Sequence, residues 1–432
     1  MRKAIVVGTG AGGATAAREL QGAFEVTVLE EGHNFKPLAF EIETIERIKK
    51  SHLVFDPGLV HFVFPNMRIR KTADKMVLVN GVGLGGTTTL SAGNALRMDG
   101  VLQALGINLD PEFEEVYREI PVSTCHQKKW HKYTRQLFHI CEEMNLDPVP
   151  ALKLGNYERC LHCGHCILGC KQGIKWDSRQ YLKEALDKGA TLVTGARVER
   201  VLIKAGEVTG VETREGLSHH FYPADLVVLA AGGLGTPVIL QNSGIVCEPR
   251  LFVDPVLCVA AEIPRNWQCK ETTMPFVVQR EGYILSPYFD FVSYLFNKDW
   301  KYPASDILGV MIKLADQETG AISKGHLEKS LTWQDNVKLL EGVELCQEIL
   351  AHLGIKKDKT FLGTLNAGHP GGMLPLTKEE ATTFHARRLP GNLYIADSTL
   401  FPQSLGNPPI LTIVALSKRV SRVCIQNLAM AI

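Results

Sequence analysis

Neither sign of charge is in excess in this sequence: 47 Lys and Arg stand against 46 Asp and Glu over 432 residues. So even a balance gives no ground for nucleic acid or an anionic membrane as the main partner. The local basic run Lys128-Lys129-Trp130-His131-Lys132 reads as a solvated helix face. An apolar run of membrane-spanning length is also missing, because the most apolar long stretch, 410–425, is interrupted by Lys418, Arg419 and Arg422. Met1-Arg2-Lys3 runs straight into a strand without a leader pattern, so a cytoplasmic protein with no transmembrane segment is expected. Internal repeats and low-complexity tracts are absent too. In a reducing compartment the eleven cysteines are not expected to form a disulfide framework; where they cluster, they point to metal or redox chemistry.

What is present begins with an apolar run, Lys3 to Val7, that ends in Gly8-Thr9-Gly10-Ala11-Gly12-Gly13 and leads into an Ala-rich helical stretch reaching Leu20. A second strand, Phe24 to Leu29, ends at Glu30. In such a β-α-β unit Gly8 permits the tight turn, Gly10 lets backbone approach a pyrophosphate, and Gly13 lets the helix pack closely on the strand. The helix N-terminus offers N–H groups and a positive dipole end to the phosphates. Glu30, 22 residues after Gly8, stands where a carboxylate meets the adenosine ribose hydroxyls. The unit predicts a dinucleotide and does not separate FAD from NAD.

Farther along, 102–145 has helical periodicity and many charges, and reads as a surface insertion. Strands are predicted at Thr191 to Ile203, Gly210 to Thr213 and Leu226 to Ala230. Residues 250–330 read as irregular and rich in aromatics and prolines; a helix is predicted near Leu331 to Leu353, a strand at Leu393 to Ala396 and a helix at Ile410 to Asn427. An α/β fold follows: a nucleotide-binding domain over 1–249, with a helical insertion at 102–150 and a cysteine cluster at 160–170, interrupted by a smaller α+β substrate domain over 250–355, and resumed over 356–432. In the middle segment Phe276, Tyr283, Tyr288, Phe289, Phe291, Tyr294, Phe296 and Trp300 either wall an apolar pocket or form core.

Three segments refine the ligand. Gly81-Val82-Gly83-Leu84-Gly85-Gly86-Thr87-Thr88-Thr89 is a glycine-rich loop. Leu226 to Pro237 reads as strand, glycine turn Ala231-Gly232-Gly233 and helix start, with Thr236 as cap and Pro237 in the first turn. Leu393-Tyr394-Ile395-Ala396-Asp397 returns from the far end of the chain. These segments, with Ser243-Gly244-Ile245 and Leu393 to Arg419, resemble the glucose–methanol–choline (GMC) oxidoreductases, the ends being most similar to the cholesterol oxidase and long-chain alcohol oxidase branch. The resemblance implies a Rossmann-like FAD-binding domain. It puts Glu30 on the adenosine ribose, Val198 near the adenine and Asp397 near the ribityl–pyrophosphate. Gly85, Gly86, Thr87 and Thr88 would line the flavin, with Ala231, Gly232 and Pro408 also on the cofactor. No His or Cys stands in the Gly85 loop, so the flavin is expected to be non-covalent.

Alcohol oxidation needs a base for the hydroxyl proton, and a histidine titrates in the useful range. Gly368-His369-Pro370-Gly371-Gly372 resembles the family's His-Pro-x-Gly-Gly motif, which implies His369 as that base. The family's second active-site group, His or Asn, falls on Pro408 in an ungapped match. Asn407, one residue early, is either a shifted partner or an ordinary turn residue.

Cys160-x-x-Cys163-x-x-Cys166-x-x-x-Cys170 has the spacing that wraps an iron–sulfur cluster, either 4Fe-4S or 3Fe-4S. Reduced structural thiols are the alternative, with zinc less natural at this spacing. Cys125, Cys141 and Cys247 are the candidates to complete a ligand set, while His162 and His165 are expected to be exposed or supporting rather than ligating. A cluster would make the protein an FAD-dependent dehydrogenase of an alcohol, with an apolar alcohol among the candidates, a protein or quinone as electron acceptor, and a hetero-complex with that acceptor left open. Without one, an oxygen-using oxidase remains open, as does an electron-transfer subunit without alcohol chemistry.

Overall fold

The computed structural model describes residues 1–38, 42–50, 60 and 64–429. Five parallel strands run in the order Leu393–Ile395, Leu226–Leu229, Lys3–Val7, Glu25–Glu30, Thr191–Thr194. Leu226–Leu229 is buried throughout, as expected of a parallel strand covered on both faces. Helix Ala11–Glu19 is built of small residues, which lets the C-terminal helix Ile410–Ala429 lie against it; Ser417 Oγ donates to Gly12 O at 2.7 Å. The two ends of the chain thus form one packed unit.

The charged segment after residue 100 is not a detached surface insertion. Leu102, Phe113 and Val116 enter the core of the nucleotide half, while Leu137, Ile140 and Cys141 enter that of the other half. Lys418 on the C-terminal helix is buried, and Glu19, Glu115 and Glu119 accept from it at 2.9, 3.3 and 3.0 Å. Its charge is therefore paired, as a buried ion requires.

The second half is a nine-stranded sheet, and here the expectation of an irregular middle is corrected. Its path is Met67–Lys71, Val77–Gly81, Asn366–Ala367, Val256–Glu262, Ile307–Leu314, Tyr283–Pro287, Phe276–Arg280 and Val149–Pro150, with Thr360–Leu362 beside it on Val256–Glu262. It takes strands from outside 250–355 as well as from within. The two-residue alternation that reveals a strand is lost because both faces are covered. Leu308, Val310, Ile312 and Leu314 pack with helix Trp333–Ala351, and Ile307 and Met311 pack with Phe289, Phe291 and Trp300.

Candidate active site

A cavity of about 690 Å³ lies between the two sheets, lined by residues of both. On the nucleotide side it is walled by Gly8, Gly10, Glu30, Val198, Ala231, Gly232 and Asp397, and by Gly86, Thr87 and Thr88 of the glycine loop; His369 and Pro408 line it as well. Gly13 and Gly85 support the lining without joining it.

The glycines divide by what a side chain would meet. Nothing lies within 4 Å of a Cβ built on Gly10, whereas one on Gly13 would sit 2.0 Å from Gly8 O and one on Gly12 only 1.5 Å from Ala396 O. Gly10 leaves open space beside the helix N-terminus, as a pyrophosphate needs. Gly12 and Gly13 let helix and strands touch. We expect Gly12→Ala to destabilise the fold by at least about 3 kcal/mol in urea unfolding, the upper end for overpacking. Gly10→Ala should leave stability unchanged while lowering bound flavin.

Glu30 is buried at the cavity wall, and its four acceptor positions are occupied by Thr9 N (3.1 Å), Thr9 Oγ1 (2.7 Å), Gly32 N (3.0 Å) and Gly83 N (3.1 Å). Burial pushes its pKa upward, against those four donors. The carboxylate thus clamps the glycine loop to the first turn. A ribose hydroxyl would have to share these positions.

Asp397 accepts from Gly232 N (2.9 Å), Thr236 Oγ1 (2.6 Å) and Thr399 N (2.9 Å), and burial raises its pKa. The helix begins at Gly232, so Pro237 lies in its second turn and not, as expected, in its first. A Cβ on Gly233 would sit 2.0 Å from Pro370 O, and Ser398 Oγ donates to the same oxygen at 2.6 Å. The His369 loop is thereby pinned directly onto the nucleotide strands.

His369 is 26 % exposed, toward the cavity. Its Nδ1 stands 3.4 Å from Asp254 Oδ2, within ion-pair reach but not aligned as a hydrogen bond. Burial and Lys313 hold the imidazole pKa below its ordinary 6.5, with Asp254 opposing them. Asp254 is buried, at φ +52°, and takes Lys313 Nζ at 2.8 Å on Oδ2 and Ser404 Oγ on Oδ1. Asn407 does not line the cavity. Its Nδ2 faces Gln279 Oε1 at 3.4 Å after a turn at Gly406 with φ +63°, so the expectation of Asn407 beside His369 is corrected. Pro408 and Pro409 line the cavity instead, directly before helix Ile410–Ala429. Of the middle aromatics, Tyr288, Phe291 and Phe296 reach the cavity and the others are core.

The four cysteines lie on a loop packed under the glycine segment. Cys166 is buried, Cys160 and Cys170 are half-buried and Cys163 is exposed. Ile167 and Leu168, between the last two, line the cavity. No three of the sulfurs come within 4.8 Å of one another, wider than the ~3.8 Å spacing of a tetrahedral zinc with ~2.3 Å Zn–S bonds. Of the two alternatives for the histidines, exposure does not hold: His165 is buried, and His162 Nδ1 lies 3.0 Å from the buried Glu271 Oε1. Two fully buried lysines flank the loop. Lys175 Nζ donates to the carbonyls of Thr88, Thr89, Ser91 and Cys166 at 3.2, 2.8, 2.9 and 2.9 Å, bridging glycine segment and cysteine loop. Lys153 Nζ donates to Ala92 O, Asn94 Oδ1 and Thr273 O. All these acceptors are neutral.

The family model described as GMC oxidoreductase matches residues 3–268. The chain belongs to the GMC oxidoreductases. It is 26 % identical to an uncharacterized protein of Methanocaldococcus jannaschii over 96 % of this chain and 98 % of that one. To a long-chain-alcohol oxidase of Arabidopsis thaliana it is 23 % identical, over 96 % of this chain and 67 % of the oxidase. Among solved structures, pyridoxine 4-oxidase from Mesorbium loti shares the fold with a TM-score of 0.73 at 15 % identity, covering 98 % of this chain and 99 % of that one.

As a GMC oxidoreductase the protein is an FAD-dependent oxidoreductase, and the cradle fits that cofactor: open space over Gly10, a helix N-terminus, and glycine loops on two sides. Sequence reasoning missed Asp254, Lys313, Lys153 and Ser404. A signal existed for Lys313, the one charged residue in the run Ile307–Leu314, every residue of which is buried. No helix among the described residues is long and apolar enough to cross a membrane.

Proposed function

We propose that this protein is an FAD-dependent alcohol dehydrogenase in which His369 takes the hydroxyl proton and electrons leave through an iron–sulfur cluster on the cysteine loop to a protein or quinone acceptor. The observation that carries the alcohol reading is His369 opening onto the same cavity as the dinucleotide glycines. Gly8, Gly10, Gly86, Thr87, Thr88, Val198, Ala231, Gly232 and Asp397 would hold FAD, with Gly85 behind the loop that faces it, Glu30 at the ribose and Pro408 opposite, and the bound cofactor would supply the hydride acceptor. His369 is held neutral by its surroundings, so it meets a substrate hydroxyl as a base. Tyr288, Phe291, Leu295 and Met311 along the wall suit an apolar alcohol.

The buried lysines support the cluster. An ammonium with only neutral acceptors is costly to bury, and anionic cysteine ligands beside Lys153 and Lys175 would compensate it. Cys160, Cys163, Cys166 and Cys170 would hold the irons. Cys163 and Leu161, which is 67 % exposed, give the loop an outer edge where an acceptor can dock. A second reading, an oxygen-using oxidase, is favoured by the two relatives named as oxidases.

The test is an anaerobic panel of primary and secondary alcohols with the purified flavoprotein. At least one apolar alcohol is expected to bleach the flavin absorbance, with turnover sustained by an artificial one-electron acceptor. Bleaching by none would leave an electron-transfer subunit as the better account. Fast reoxidation by air with no iron in the protein would favour the oxidase.

A further inference from the structure

We infer that Lys313 is the second polar group of the alcohol site, its ammonium donating to the substrate oxygen, with Asp254 holding both Lys313 and His369 in place. The inference rests on the alcohol-oxidising reading. Lys313 lines the cavity together with His369, although its charge is otherwise enclosed. Its Nζ has two acceptors, Asp254 Oδ2 at 2.8 Å and Asp254 O at 3.4 Å. An ammonium has three N–H groups, which leaves one for a molecule in the cavity. Pro408 has no side-chain donor, and Asn407 faces Gln279, so neither can serve the oxygen.

Asp254 is held more tightly than a simple counter-ion needs. Its backbone stands at φ +52°, a left-handed conformation that Asp tolerates better than most residues. Asp316 Oδ1 accepts from the N–H groups of Val253 and Asp254 at 3.1 and 2.8 Å, while Asp316 Oδ2 pairs with Lys329 Nζ at 2.7 Å. Ser404 Oγ fixes the outer carboxylate oxygen. The shared Oδ2 therefore sits between Lys313 Nζ and His369 Nδ1. It favours the tautomer with the proton on Nδ1 and leaves Nε2 as the base.

In the reaction the substrate O–H bond breaks and its proton passes to His369 Nε2. With FAD bound, the cofactor would take the carbinol hydrogen with its C–H electron pair as the C=O bond forms. Charge grows on the oxygen as the proton leaves, and the Lys313 N–H stabilises it there, as a donor aimed at a developing oxyanion does. Asp254 stays ionised throughout. The charged groups around the imidazole are Asp254 on the approach to the second sheet and Lys313 within it, with Asp316 and Lys329 behind; buried Asp397 lines the same cavity.

The test uses the FAD-loaded protein. Lys313→Met and the double variant Asp254→Asn/Lys313→Met are compared with wild type; the double variant leaves no unpaired buried ion and so guards against misfolding. In 15N-histidine NMR the His369 midpoint should rise in Lys313→Met, because a neighbouring cation has been removed, and should fall back in the double variant. Anaerobic flavin reduction by the best alcohol should slow by at least about 100-fold in both variants with flavin content retained, the scale of losing one oxyanion donor. An unshifted His369 midpoint in Lys313→Met, or reduction as fast as wild type in either variant, overturns the assignment. A wild type that no alcohol bleaches removes the alcohol reading and this one with it. A bleached wild type with equally fast variants removes this one alone.

Discussion

Replacing His369 by Ala is expected to slow anaerobic flavin reduction by roughly 10²–10⁴-fold, the usual contribution of a positioned general base. Flavin content should not change. Val253 O accepts from the His369 backbone N–H, Gly233 and Ser398 hold the oxygen of Pro370, and all of these contacts survive truncation of the ring. The pH profile carries the sign. Burial and Lys313 disfavour the imidazolium, so the folded-state pKa lies below the ordinary 6.5 and the neutral base is present at every pH above it. The rate in wild type should therefore be level from about pH 6.5 to 8, with an acid limb only below that range. In His369→Ala the acid limb should vanish. A variant that keeps its rate, or a wild-type rate still climbing through pH 7.5, would show that another group takes the proton.

Much of the nucleotide half was legible because it is built from local signals. Lys3–Val7, Gly8 to Gly13 and Glu30 lie within thirty residues, and each glycine has a steric reason that can be read without the fold. The return at Leu393–Ile395 and the helix from Ile410 were also readable, since a short buried strand and a long helix keep their patterns. The middle was not. Strands such as Ile307–Leu314 are covered on both faces, which erases alternation, so a regular sheet looked irregular. The site failed in the same place and for a related reason. Asp254, Lys313 and Ser404 are separated by 59 to 150 residues along the chain. They meet only because the second sheet folds back beneath the His369 loop, and no spacing rule encodes that meeting. Asn407 stands one residue before the position the family pattern gives to Pro408, and the turn with Gly406 at positive φ faces it to Gln279 instead of the cavity.

The cysteine loop yields the other large expected effect. Anaerobically purified protein should contain about four irons and four acid-labile sulfides per chain, or three irons if one ligand is lacking. Cys166→Ser should lose the cluster along with its visible absorbance and paramagnetic signal. The reason for choosing Cys166 is structural: it is the buried member, its carbonyl receives Lys175, and the two residues after it line the flavin cavity. Burial already lowers the pKa of Lys153 to about 7 and that of Lys175 to about 8, with the cysteine sulfurs pulling the other way, so losing anionic ligands lowers both further and weakens the hold of their ammonium groups on the surrounding carbonyls. The variant should therefore unfold at clearly lower urea as well as lose iron. Its flavin should still be reduced by alcohol, because His369 and the cavity wall are untouched, but transfer to a one-electron acceptor should fall to background. These outcomes separate. Iron and sulfide at zero in wild type would remove the relay while leaving the alcohol chemistry intact. A Cys166→Ser protein as stable as wild type would mean that the lysines do not depend on the cysteines for their charge balance. Loss of stability together with iron, at retained flavin reduction, ties the buried cations to the cluster, and through Lys175 ties the cluster to the loop that faces the flavin.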